Sequence, residues 1–236
     1  MTGEVPQQVE RLDQRLERGA VEIDEVVEIA RMLAVHLDAE HSSGRVDGAI
    51  VPARVEVWVG ASPRLLPATE EHRASRAYVA PEAWGGEPTP ASDQFSMAAL
   101  LYEALCGGRP FPGDDPDEIH ASMTTGKPVP LAARVPGLAE AVDAVFGRAL
   151  SVIAVERYPG CSAFAEDLVK AIERSRDASE AVLVQKPSQR LPNEPTSRDE
   201  SGSLPPRDEA PIPWLKVAVG LVLLSLVAAS LALVGK

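Results

Sequence analysis

The side chains able to do chemistry are few and scattered. Four histidines (His36, His41, His72, His120) and two cysteines (Cys106, Cys161) are spread along the chain. No Cys-x-x-Cys pair occurs, and no cysteine stands beside a histidine at the spacing of a zinc site. The pattern predicts two ordinary buried thiols in a reducing compartment and no metal centre. Glu103 and Glu118 read as solvated helix residues rather than an acid/base pair, and Trp58 and Trp84 as packing residues.

Charge narrows the partners. Lys and Arg number 23 against 35 Asp and Glu, a net charge of −12. With Lys216 and Lys236 set aside, residues 1–215 carry 21 basic and 35 acidic side chains, a net of −14. Such a body repels nucleic acid, and no basic patch offsets it, so no nucleic-acid partner is expected. The first 19 residues are polar and acidic, with no apolar core of a signal peptide.

The far end differs. Val217 to Val234 is an 18-residue run with no charge and two serines. At 1.5 Å per residue it would span roughly 27 Å, close to the hydrocarbon thickness of a bilayer. Trp214 and Lys216 precede it and Lys236 closes it, as interfacial anchors do. Residues 214–236 are therefore expected to be a single transmembrane tail anchor. The expectation places the protein at the cell membrane as a single-pass chain with its N-terminal body in the cytoplasm. Residues 177–213, rich in Pro, Ser and acid, read as a disordered linker.

The elements between are mostly helical. Ile23, Val26, Val27, Ala30, Leu33, Val35 and Leu37 recur at helical spacing and predict an amphipathic helix over 23–41, stopped by Gly44. Val55, Val57 and Val59 alternate, and with Leu65 and Leu66 beyond a 60–63 turn they predict a β-hairpin. Ser92 is a candidate cap for a helix over 93–106, which Gly107 and Gly108 stop. Asp115 followed by Pro116 starts the next helix, which Gly126 ends. Two more are expected near 137–150 and 162–174. Whether residues 1–19 dock on the body or stay free is open at this point.

Five short pieces in this order resemble the C-terminal lobe of bacterial serine/threonine protein kinases. They are Tyr78-Val-Ala-Pro-Glu82, Ser92-Asp-Gln-Phe-Ser96, the run from Leu101 to Phe111, Arg148-Ala-Leu150, and Glu156-Arg-Tyr-Pro159. The resemblance covers roughly 20–176. It implies a mainly α fold: a protein-kinase-like C-lobe, a helical bundle with a short β-hairpin, lacking the N-lobe. It carries over scaffold roles. Ala80, Pro81 and Glu82 match the family's APE motif, Arg157 the arginine that forms a buried ion pair with that glutamate, and Asp93 the helix aspartate that holds the catalytic-loop backbone.

The same comparison empties the chemistry. The family needs a Gly-rich loop, a strand lysine, an HRD base, a nearby asparagine and a DFG aspartate for Mg²⁺. Aligned on Gly44 and Pro52, HRD falls on Asp47, Gly48 and Ala49, so the base position is a methyl group. The phosphate-contacting lysine position is Val51, the metal-binding asparagine position is Arg54, and DFG falls near Pro67. A two-residue slip would bring Asp47 to the base position but would misplace Pro52. No catalytic residue, no ATP or Mg²⁺ binding and no other cofactor is expected. Thr69, Ser75 and Thr89, in or near the activation-segment equivalent, read as plain loop hydroxyls. The resemblance implies a pseudokinase-like binding module in signalling, whose partner is an unidentified protein such as a kinase or its substrate. The alternative is a kinase fragment made active by an N-lobe supplied in trans.

Overall fold

The computed structural model describes residues 9–58, 61–135, 138 and 140–185. The chain divides into two units, 1–187 and 188–236, and the described residues belong to the first. Of the linker expected over 177–213, residues 177–185 are helical instead, because nothing before Pro187 breaks the helix; the rest of it and the membrane span expected at 214–236 lie outside the described residues. Among the described residues no helix is long and apolar enough to cross a membrane.

The fold is built on one helix that has almost no solvent face. Helix α4 (Pro90–Cys106) is buried at every position from Ser92 to Tyr102, its apolar side chains in the core and its buried Ser92, Asp93, Gln94 and Ser96 each hydrogen-bonded. Its start differs from the sequence expectation. Thr89 is the N-cap, Pro90 takes the first helical position, and Ser92 is the third residue of a capping box in which each side chain bonds the other's backbone N–H. Proline's fixed φ and missing N–H suit that first position, so the helix begins three residues early. Gly107, at φ 68°, ends it, and an added Cβ there would meet the backbone N of Ala20 at 3.2 Å.

Three helices wrap this centre. Helix α2 (Ile23–Ser42) buries Val26, Ile29, Ala30, Leu33, Ala34 and Leu37 on one face. Val35, grouped with that stripe in the sequence, lies off it and is 70% exposed. Helix α6 (Glu140–Ala149) contributes Val142 and Phe146, and α7 (Cys161–Gln185) contributes Phe164, Leu168 and Ile172. The rings of Tyr102, Phe146, Phe164 and Tyr158 meet in sequence at centroid separations of 5.7 to 5.9 Å, mostly edge to face. Helix α7 runs well past residue 174, because no Gly or Pro interrupts it until Pro187. Two shorter helices are α3 (Glu70–Ala74) and α5 (Pro116–Thr125), α5 with Asp115 as its cap and Pro116 at its first position.

The hairpin is part of a three-stranded antiparallel sheet in the order β1-β2-β3. Strands β2 (Val55–Trp58) and β3 (Ala61–Leu65) pair with Trp58 opposite Ala61, so β3 already begins where a turn was expected. The third strand, β1 (Val9–Arg11), comes from the polar N-terminal segment, with Val9 opposite Trp58. The helix that follows it, α1 (Leu12–Leu16), buries Leu12 completely. Residues 9–16 thus dock on the body. Covering the β2 edge satisfies backbone groups that a bare hairpin would leave open.

Candidate functional site

The loop between α2 and β2 is tied to the centre of the protein by one carboxylate. Asp93, fully buried in α4, accepts from the backbone N–H of Asp47 at 2.9 Å and of Gly48 at 2.8 Å. A ring nitrogen of His41, in the last turn of α2, lies 2.8 Å from the same oxygen that Asp47 reaches. Burial pushes the Asp93 carboxyl above the usual carboxylate range, against the pull of these three bonds.

The next residue, Ala49, presents a methyl group in a residue only 4% exposed. Asp47 is committed elsewhere. Its carboxylate is gripped by both terminal nitrogens of Arg54, through Nη1 to Oδ1 and Nη2 to Oδ2, the latter at 2.9 Å. Arg54 is itself 2% exposed and donates to the carbonyls of Ala49 and Leu66, each at 2.8 Å. A fixed cation therefore fills the angle between the loop and the end of β3. Val51 is buried and Pro67 exposed, and neither offers a charge.

The segment from Pro67 to Thr89 folds over this loop. Arg73 of α3 donates to the Asp47 carbonyl at 3.0 Å. Gly48 has φ +68°, and a Cβ there would stand 2.8 Å from Cγ of Pro88. Thr69 caps α3 and Thr89 caps α4, so these two hydroxyls are structural rather than idle. Ser75 is half-buried between them. Glu103 is not a solvated residue either. The Tyr78 hydroxyl donates to it at 2.5 Å, and burial first, then the Glu103 charge, push that hydroxyl's pKa far up.

On the other side of α4, Arg157 donates through both terminal nitrogens to Glu82, at 2.6 and 2.8 Å. It also donates to the carbonyls of Ala91 and Ser151, each at 2.8 Å, and stacks over Phe95. Ala80 is fully buried, and Pro81 opens the single 3-10 turn that presents Glu82.

The fold also gathers Asp38, His41 and Cys161, whose ligand atoms lie within 4.8 Å of one another. Their separation in sequence hid this. Both Asp38 oxygens accept backbone N–H groups at the start of α7, from Cys161 and Ser162 at 2.9 Å. Burial, and then the charges of Asp38 and Asp93, push the Cys161 thiol well up. The group braces α7 against α2. Cys106, in contrast, is only half-buried.

No protein-family model matches the chain. PknB, a serine/threonine-protein kinase of Mycobacterium tuberculosis, is 36% identical over 94 residues, covering 39% of this chain and 15% of PknB. PknE, a serine/threonine-protein kinase of the same organism, is 26% identical over 203 residues, covering 80% of this chain and 35% of PknE. The crystal structure of the Mycobacterium tuberculosis PknI kinase domain superposes with a TM-score of 0.54 at 26% identity, covering 70% of this chain and 63% of that domain. The chain thus spans less than two thirds of each protein it is compared with. The protein has a protein-kinase-like fold, mostly helical with a small three-stranded sheet, and its relatives are bacterial serine/threonine kinases.

Proposed function

We propose that this protein is a membrane-anchored, catalytically inactive kinase-like module that binds a protein partner in signalling. One observation carries the reading: the buried Arg54 guanidinium is locked onto Asp47 beside the Ala49 methyl. Phosphoryl transfer relies on positioned charges around the phosphates and their metal ions. Here the methyl has no proton affinity. The Asp47 carboxylate is neutralised by an internal cation and that of Asp93 is buried against the loop backbone, so Mg²⁺ and ATP do not fit the residues present. Meanwhile Asp93, Glu82 and Arg157 keep the hydrogen bonds that hold the lobe together. A scaffold preserved around a neutralised centre supports binding rather than turnover. The 18-residue apolar run of the sequence supports attachment to a membrane.

Calorimetry on the full chain in lipid nanodiscs, titrated with ATP and Mg²⁺, tests this. No heat and no thermal stabilisation are expected. Binding that also persists in the Arg54→Leu variant would return the protein to the enzyme class, as a kinase fragment completed in trans.

A further inference from the structure

Loops between helices are usually polar, because they face water. The loop between α6 and α7 is not. Val152 is 40% exposed, Ile153 54% and Val155 92%, three aliphatic side chains within four residues.

The loop is also fixed in this posture. The Ser151 hydroxyl accepts from the N–H of Ile153 at 3.2 Å and donates to the Glu156 carboxylate at 2.9 Å. The N–H of Glu156 donates to the Ile153 carbonyl at 3.0 Å, and that of Arg157 to the Ala154 carbonyl at 3.2 Å. Buried Arg157 grips the Ser151 carbonyl from below, and Arg148 reaches the Glu156 carbonyl at 3.3 Å. A loose loop would fold its aliphatic groups back. This one is held with them facing outward, a preorganised apolar tip whose binding would cost little further ordering.

We propose that this tip inserts into the interface of the bilayer that anchors the chain. The inference rests on the membrane-anchored reading. Tethering supplies the occupant, because it keeps the body at high effective concentration above lipid, where a contact too weak to act alone suffices. Reach permits it. Helix α7 begins at Cys161, just beyond the loop, and its 25 residues carry the chain about 37 Å away at 1.5 Å per residue. The 28 residues from 186 to 213 set a contour limit of about 95 Å, so chain length does not forbid the loop from reaching the membrane plane. Charge sets the lipid class. The acidic body is repelled by anionic headgroups, so the contact is strongest on zwitterionic lipid, and on anionic lipid it strengthens, rather than weakens, with salt.

The test uses the full chain in phosphatidylcholine vesicles, with Cys106→Ser and Val155→Cys carrying an environment-sensitive fluorophore. A matched chain carries the label at the exposed Ser62 through Ser62→Cys. Quenching by bromine-bearing lipid several-fold stronger at 155 than at 62 is expected. It should fall to the level of 62 when Val152→Ser and Ile153→Ser are added, changes at exposed positions that leave the core intact. Equal quenching at both sites, in a chain that resists alkaline carbonate, overturns the proposal alone. A blue shift at 155 that follows protein concentration and ignores the brominated lipid makes the tip a contact between copies, and also overturns it. Release of the chain by carbonate overturns the anchor and the proposal together.

Discussion

Arg157 and Glu82 stand 75 positions apart in sequence and meet through two charge-assisted hydrogen bonds of 2.6 and 2.8 Å. The arginine side chain is fully buried, and the glutamate keeps an edge to solvent, at 28% exposure. Removing either partner of such a pair leaves the other unpaired, which costs about 3–5 kcal/mol. Arg157→Ala is therefore expected to lower the urea midpoint sharply. Glu82→Gln acts in the same direction, because the guanidinium stays buried without its counter-charge. A midpoint unchanged in both variants would show that the pair holds nothing together.

Arg54 and Asp47 are coupled in the same way. Arg54→Leu alone strands the Asp47 carboxylate, and Asp47→Asn alone strands the guanidinium. The double variant removes both charges at once, so its loss of stability should be smaller than the sum of the single losses, by about 0.5–3 kcal/mol. A double-mutant cycle by denaturant unfolding reads this directly. Additive losses would mean that the two side chains do not interact.

Gly48 tests how firmly the segment before α4 is closed over the loop. Its φ of +68° disfavours any side chain, and a Cβ would meet Pro88 at 2.8 Å. Gly48→Ala is expected to destabilise by more than the ~1 kcal/mol typical of a left-handed glycine alone, and Pro88→Ala should recover part of the excess, since it removes Cγ but keeps the Cβ 3.0 Å away. Thermal melts of the single and double variants separate the two contributions.

Asp38 gives the protein a pH signature. Burial raises its carboxyl, but the bonds from Ser162 and the N–H of Cys161 outweigh burial and hold it below its ordinary value of 3.8. A depressed carboxylate contributes stability that is complete above the unfolded pKa and is lost as pH falls through the lower, folded value. Asp38→Asn should therefore cost about 1 kcal/mol near neutrality, like the loss of a helix cap. The gap between variant and parent should close as the pH drops below 3.8. Asp93 has the opposite sign, since burial raises it: its contribution declines as pH rises from its unfolded value through its folded one. A gap that widens on acidification would rule out the bonded, ionised Asp38.

Much of this protein was legible before folding. Periodicity marks α2 at Ile23 and Asp115-Pro116 marks α5, since a capping side chain and an apolar stripe are local properties. The resemblance to kinase C-lobes singled out Glu82, Asp93 and Arg157 as scaffold residues, and it picked out Ala49, Val51 and Arg54 as the expected lost positions. Sequence alone did not show that β1 and α1 close the sheet edge, because a three-residue strand has no signal until its partner is present. Nor did it show that Arg54 spends its charge on Asp47, that Thr89 rather than Ser92 caps α4, or that Val152, Ile153 and Val155 face water. Local sequence sets which elements form and where they stop. Which charges meet, and which apolar side chains are left over, is decided only when segments distant in the chain are packed together.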